Sequence, residues 1–231
     1  MSGSKESIHV AVIGCGHWGK NHVRVLSELG VLAAINDHCA EIALRCAKDH
    51  DVSIMSFSEI IESKAIQAIV IATPAETHFE LARDAILAGK HVFVEKPLAL
   101  KIEDGRQLCE LANLHDRILF VGHLLQYHSA FQKLKSITVE RQLGNIQYIY
   151  SNRLNLGKFR QEESILWSFA PHDISMIISL IGDMPSEIFA TGANYLQREV
   201  SDVTTTHMKF PGGQHAHIFV SWLHPFKDQK M

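Results

Sequence analysis

The sequence predicts an α/β protein: an N-terminal Rossmann-type, doubly wound parallel sheet followed by a C-terminal α+β domain with an open, mainly antiparallel sheet. Three observations predict it. Short apolar runs alternate with helix-period stretches as far as residue 122. A glycine-rich turn, Gly14-Cys15-Gly16-His17-Trp18-Gly19, follows the first apolar run and opens the first helical stretch. From residue 187 on, runs separated by tight turns follow one another without helices between them, the pattern of antiparallel strands. The expected domains are 1–122 and 123–231.

In order, residues 8–13 form an apolar strand broken by His9, and residues 20–29 a helix with Val23, Leu26 and Leu29 on one face. A strand at 31–35 ends in Asn36-Asp37; a helix at 40–48, a short strand at 52–55 and a helix at 58–63 follow. The apolar strand 65–72 is broken by Thr73-Pro74, and the amphipathic helix 76–88 is closed by Gly89 at the position past its end. Residues 91–94 are the next strand, 100–115 a helix, and 118–121 a strand closed by Gly122. Right-handed crossovers between parallel strands then bring the glycine-rich turn, Thr73-Pro74 and Glu95-Lys96-Pro97 to one edge of the sheet. In the second domain the sequence predicts a helix at 127–142, a strand at 146–153, a loop at 155–164 and a helix at 171–181 that starts on Pro171. Strands at 187–193, 203–210 and 214–223 complete about four strands, fewer than the roughly half dozen of a usual sheet. The last run would then be an exposed apolar edge.

Composition narrows the partners. The chain has 231 residues, 46% hydrophobic and 20% charged, with a formal net charge of −3. That balance fits a globular domain and gives no electrostatic reason to expect nucleic acid or an anionic membrane. The first seven residues form a polar leader without the apolar core of a signal peptide, and no apolar run is long enough to span a bilayer. Cys15, Cys39, Cys46 and Cys109 show no CxxC spacing, so reduced thiols and a cytoplasmic location are expected.

The glycine-rich turn is informative because of what surrounds it. Gly14 allows a tight turn, Gly16 a close approach of a pyrophosphate, and Gly19 the packing of helix on strand. The helix N-terminus offers N–H groups and a positive dipole to phosphate. Asp37, eighteen positions after Gly19, stands where a carboxylate meets ribose hydroxyls and would repel a 2′-phosphate. NAD is therefore expected over NADP, with His17, Trp18, Thr73, Pro74 and His78 bordering it. The alternative is a purely structural turn.

Lys96 ends a buried strand, His91-Val92-Phe93-Val94, at the carboxyl edge where open α/β sheets bind ligands. Partial desolvation there would ease its neutral form and fit it for proton transfer. The plainer reading is a lysine reaching water with Glu95 as its surface partner.

Three stretches together resemble the Gfo/Idh/MocA oxidoreductases: the glycine-rich turn, Ala72-Thr73-Pro74-Ala75-Glu76-Thr77-His78, and Ala88-Gly89-Lys90 running through His91 to Glu95-Lys96-Pro97-Leu98-Ala99. The resemblance implies a Rossmann domain joined to an open-sheet domain, NAD(H) or NADP(H), and oxidation or reduction of sugars, cyclitols or sugar nucleotides. Gly122-His123-Leu124-Leu125-Gln126-Tyr127-His128, the run Tyr148-Ile149-Tyr150-Ser151-Asn152-Arg153-Leu154-Asn155-Leu156-Gly157, and Leu166-Trp167-Ser168-Phe169-Ala170-Pro171-His172-Asp173 are similar to bacterial dehydrogenases acting on nucleotide-linked N-acetylhexosaminuronates. Those oxidise the sugar 3-hydroxyl in the making of surface polysaccharide. Two departures stand out. Ser168 replaces the Asp that many members carry four residues before the His, and the chain ends where members usually add further strands.

The resemblance implies that Lys96 and His172 are the catalytic pair. An unperturbed histidine titrates at about 6.5, near working pH, which suits His172 to act as a base, while a desolvated Lys96 could share or relay the proton, so that either can be the base; the alternative is that His172 caps or packs the following helix. Tyr127, Asn152 and Arg153 offer a hydroxyl, an amide and a guanidinium to a sugar and its acid or phosphate, although adjacent strand residues face opposite ways. Glu95 either meets the ribose or positions Lys96. His215 and His217 share a strand face, but no supporting ligand lies at a metal-site spacing, so no metal is expected. Trp167 and Phe169 read as packing residues.

The expectation is an NAD-dependent dehydrogenase for a secondary hydroxyl of a sugar or nucleotide sugar, best the 3-hydroxyl of a UDP-linked N-acetylhexosaminuronate. It is expected to form homo-oligomers through the C-terminal sheet. The rivals are a non-catalytic NAD-binding sensor or scaffold on the same fold and a free polyol or inositol dehydrogenase.

Overall fold

The computed structural model describes residues 8–156, 164–196 and 198–231. The expected polar leader and positions 157–163 of the expected loop lie outside the described residues. The chain divides into two compact units, Met1–Gly122 and His123–Met231.

In the first unit β1 (Val10–Ile13), β2 (Leu32–Asn36), β3 (Ser53–Ile54), β4 (Ala68–Ile71), β5 (His91–Val94) and β6 (Leu119–Val121) form one sheet in the order β3-β2-β1-β4-β5-β6. Every pairing is parallel. Between them run α1 (Gly19–Glu28), α2 (Ala40–His50), α3 (Phe57–Glu62), α4 (His78–Leu87) and α5 (Ile102–Leu114). The central strands β1 and β4 are buried on both faces, which is why they are continuous apolar runs. Along β1, Ala11 and Ile13 enter a core with Ile60, Ala82, Ile86 and Leu108, whereas Val10 and Val12 enter another with Val23 and Cys46. The strand order reverses between β1 and β4, and crevices at such switch points bind ligands.

Helix ends follow local chemistry. Ser56 and Glu59 form a reciprocal capping box on α3, a Ser-x-x-Glu signal that starts the helix one residue before the expected 58–63. The expected helix 76–88 divides into a 3-10 turn, Ala75–Thr77, and α4. Gly89, at φ +79°, ends α4 as the sequence predicts.

The second unit contains a 3-10 turn at Leu124–Tyr127, α6 (Ser129–Val139), β7 (Tyr148–Leu154), α7 (Ile165–Ile181), β8 (Glu187–Ala193), β9 (Val203–Lys209), β10 (His215–Ser221) and β11 (Asp228–Lys230). Its sheet runs β11-β7-β10-β9-β8, and only the β10–β7 pair is parallel. α7 covers one face through Ile165, Ala170 and Ile177, packed with Ile149, Ile218, Val220 and Trp222.

Two expectations are corrected. β10 is not an edge: it lies between β7 and β9, and the edges are β8 and β11, the latter a fifth strand of polar residues that carries no apolar signal. The helix expected at 171–181 begins at Ile165, capped by the Ser164 hydroxyl, and encloses Pro171. Burial of Ile165 and Ala170 holds the first turns helical despite the missing proline N–H. His172 is therefore inside the helix instead of at its start.

Candidate active site

The parallel registers align the last residues of five strands in one row: Asn36, Ile13, Ile71, Val94 and Val121. The ladder continues one step, with Gly14 N–H on Asn36 O, Ala72 N–H on Ile13 O, Glu95 N–H on Ile71 O and Gly122 N–H on Val94 O, at 2.8–2.9 Å. Asp37, Gly14, Thr73, Glu95 and Lys96 are thereby delivered to one edge of the first unit, as the crossover rule predicts.

Gly14 takes φ +88°, and a Cβ there would lie 2.8 Å from the Ala72 carbonyl. A Cβ on Gly19 would lie 1.8 Å from Gly14 O, so helix and turn touch backbone to backbone. A Cβ on Gly16 meets nothing within 4 Å, which leaves this peptide open to a ligand. The Asp37 side chain, 4% exposed, accepts Cys15 N–H at 2.7 Å on one oxygen and Cys39 N–H at 2.8 Å on the other. It thus joins the turn to the start of α2; Oδ1 also lies 3.3 Å from His38 Nδ1, and Oδ2 retains a lone-pair site for a ribose hydroxyl. His17, Trp18 and Pro74 are exposed and Thr73 is half-buried, with its hydroxyl accepting that of Thr77 at 2.7 Å.

His78, expected to border the cofactor, is buried. It is 1% exposed, with Nδ1 2.7 Å from Pro97 O and Nε2 2.9 Å from Thr73 O, so its ring staples the two turns together. Lys96 is half-buried, and the Lys96–Pro97 peptide is cis. Glu95, 8% exposed, turns its Oε1 to the Trp18 indole N–H at 2.6 Å and His22 Nε2 at 2.7 Å, while Oε2 lies 3.3 Å from Lys96 N–H. Burial pushes this carboxyl up, but the bonds from His22 and Trp18, the His22 charge and the Lys96 N–H hold it below the usual carboxylate range. The plainer reading, Glu95 as a surface partner, thus gives way to an internal partnership. The sequence reading missed His22, although its spacing of four from Trp18 on a helix was the available signal.

A cleft of about 440 Å³ opens between α1 and α2, lined by Cys15, Gly16, Lys20, Arg45, Cys46 and His50 among others; Asp37, Thr73, Glu95 and Lys96 do not line it. Burial and the neighbouring Cys46 push the Cys15 thiol far above the usual thiol range, which makes it a packing group.

In the second unit the expected substrate residues separate. Arg153 points to the α7 side, where Nε donates to Asp173 Oδ2 at 2.7 Å and Nη2 to Oδ1 at 3.2 Å; Ser151 Oγ also donates to Oδ1 at 2.7 Å. Arg153 and Asp173 are both buried, so the guanidinium is engaged in an internal ion pair. Asn152 faces the other way, its amide donating to the Tyr150 hydroxyl, and does not share the α7 side with His172. Tyr127 is exposed at the end of the 3-10 turn. His172 is half-buried on α7 beside Asp173, and Ser168, one turn earlier, is buried. Asp173 is the carboxylate that sequence reasoning overlooked, although it adjoins His172.

The outward sheet face carries Tyr148, Tyr150, His207 and His217. His217 Nδ1 lies 2.5 Å from the Tyr148 hydroxyl, and burial together with His207 lowers the His217 pKa. Among the described residues no group of three or more His, Cys, Asp or Glu side chains could hold a metal.

Residues 8–123 match the oxidoreductase family described as having an NAD-binding Rossmann fold, and residues 131–231 match the GFO/IDH/MocA C-terminal domain. The chain belongs to the Gfo/Idh/MocA oxidoreductase family. It is 28% identical to the UDP-N-acetylglucosamine 3-dehydrogenase of Acidithiobacillus ferrooxidans, over 93% of this chain and 67% of that protein. A solved structure of that dehydrogenase superposes with a TM-score of 0.88, at 27% identity over 96% of this chain and 72% of that one. The myo-inositol 2-dehydrogenase of Thermotoga maritima is 27% identical over 89% of this chain and 66% of its own length. GenD2 from gentamicin A biosynthesis, solved in complex with NAD, shares the fold with a TM-score of 0.89 at 23% identity, over 96% of this chain and 67% of that one. The chain thus spans about two thirds of the length of these relatives. Its first unit is the family's NAD-binding Rossmann fold, and the open Gly16 peptide beside the Asp37 carboxylate fits a dinucleotide.

Proposed function

We propose that this Gfo/Idh/MocA member is an NAD-dependent dehydrogenase that oxidises a secondary hydroxyl of a sugar or nucleotide sugar. The observation that carries the proposal is the row of strand ends in which Gly14, Asp37 and Lys96 share one edge of a single sheet. NAD, when bound, supplies the hydride acceptor. Gly14, Gly16 and Gly19 would pass the dinucleotide close to the backbone, the N-terminus of α1 would meet its phosphates, and Asp37 would accept ribose hydroxyls and repel a 2′-phosphate. Lys96 and His172 are the proposed proton-handling pair, one taking the hydroxyl proton and the other polarising the substrate oxygen. Tyr127 is the remaining candidate to hold substrate.

The substrate class is read from the relatives. The A. ferrooxidans dehydrogenase acts on UDP-N-acetylglucosamine by its name, and the three second-unit stretches that resemble nucleotide-sugar dehydrogenases favour the 3-hydroxyl of a UDP-linked N-acetylhexosamine or its uronate over free inositol. A second copy is expected to pair with the second unit's sheet, whose outward face exposes Tyr148, Tyr150 and Phe189.

The test is NADH formation with UDP-N-acetylglucosamine, the corresponding uronate and myo-inositol, alongside calorimetric NAD binding. NADH from a UDP-sugar supports the proposal. NAD binding without turnover of any of the three favours a non-catalytic NAD-binding protein, the reading to which Ser168 in the usual Asp position points.

A further inference from the structure

Glu95 is held from three elements at once. Trp18 and His22 are one turn apart on the same side of α1 and donate to the same oxygen, Oε1, at 2.6 and 2.7 Å. Oε2 faces the Lys96 N–H at 3.3 Å and lies 3.0 Å from where a Cβ on Gly122 would stand, so the end of β6 closes the third side. The His22 ring rests edge-on against Phe93 of β5, with centroids 5.0 Å apart, and Phe93 stacks on Phe120 of β6 at 5.3 Å. Its Nε2–H reaches Glu95 from this fixed seat. Trp18 stays 44% exposed with its indole N–H pinned, which sets the ring in one orientation beside the glycine-rich turn.

A carboxylate removed from water destabilises a fold unless it is hydrogen-bonded at both oxygens. Here those bonds join the helix that follows the dinucleotide turn to the strand end that carries Lys96. We propose that Trp18 and His22 are positioning residues that act through Glu95 to hold the dinucleotide turn and the Lys96 backbone in one register. The proposal rests on the NAD reading above and assigns to His22 a role at the same site. Neither side chain is asked to touch the reacting atoms.

The test uses the whole chain without ligand. Amide hydrogen exchange at Lys96 and exchange of the Trp18 indole N–H are followed by NMR, with the Ile71 amide as an internal reference for global opening, and NAD affinity is measured by calorimetry. His22→Leu removes the donor, His22→Gln keeps an N–H, and Trp18→Phe removes the other donor while keeping a ring. His22→Leu and Trp18→Phe should each speed Lys96 exchange about tenfold relative to Ile71 and weaken NAD binding about tenfold, as the loss of one charge-assisted hydrogen bond allows. His22→Gln should stay within roughly threefold of the native protein on both measures. Unchanged Lys96 exchange in both donor-removing variants overturns the proposal, as does equal acceleration at Ile71, which marks a purely structural role. A Gln variant indistinguishable from the Leu variant also overturns it. If the native chain binds no NAD, the proposed function falls, while the exchange data still decide the role of His22.

Discussion

Asp37 accepts the backbone N–H of Cys15 at 2.7 Å across 22 residues of chain, so the carboxylate expected to read the ribose also fixes the turn that passes the phosphates. Asp37→Ala removes this bond and the one from Cys39. It should lower unfolding stability by about 3 kcal/mol or more, since hydrogen bonds to charged groups contribute about 1.5–3 kcal/mol each and two are lost. It should also narrow the preference for NAD over NADP. Urea unfolding and paired titrations of the two dinucleotides check both outcomes.

The three glycines of the turn separate folding from binding. Gly19→Ala drives a methyl to within 1.8 Å of Gly14 O, a backbone atom that cannot give way. The expected cost is about 3 kcal/mol or more, read as a large fall in Tm. Gly16→Ala adds a methyl where nothing lies within 4 Å. That variant should stay within about 0.5 kcal/mol of native stability yet bind NAD at least about tenfold more weakly, because only a ligand approaching the backbone would meet the new methyl.

Arg153 and Asp173 join β7 to α7 inside the second unit. Arg153→Met strands a buried carboxylate and should cost about 3–5 kcal/mol. The double variant Arg153→Met/Asp173→Leu, which removes both charges, should lose less than the sum of the two single changes by at least about 1 kcal/mol. Chemical denaturation of the four proteins closes the cycle. Simple additivity would show that the pair is uncoupled.

Glu95 makes stability depend on acid. Its folded carboxyl lies below the usual range, so the folded state holds this proton less tightly than the unfolded chain. Its contribution is complete above the unfolded value of about 4.3 and is lost as pH falls through the lower, folded value. The stability gap between native protein and Glu95→Gln should therefore be flat near neutrality and shrink below about pH 4.3. A gap that does not change on acidification would show that the carboxylate is not held in this way.

Much of the first unit was legible because its signals are local. Strands buried on both faces read as apolar runs, and Gly14, Gly19 and Gly89 stand where the backbone must turn or touch. The second unit was harder to read. β11, Asp-Gln-Lys, has no apolar residue and exists because β7 offers it hydrogen bonds. Pro171 resembled a helix start, but burial of Ile165 and Ala170 outweighed it.

Residue order alone determined the parallel sheet, the glycine-rich turn ahead of α1, the placing of Asp37 and Lys96 at strand ends, and the opposite facing of Asn152 and Arg153, since each follows from periodicity and backbone freedom within a few residues. Tertiary structure alone decided what the charged and polar side chains do. Arg153 became the partner of Asp173, His78 a staple between two turns, and Glu95 the acceptor of Trp18 and His22 instead of a surface companion to Lys96. A buried polar group must find its hydrogen bonds wherever the fold brings a donor or acceptor within about 3 Å, and that pairing is a property of packing across the chain that no local pattern records.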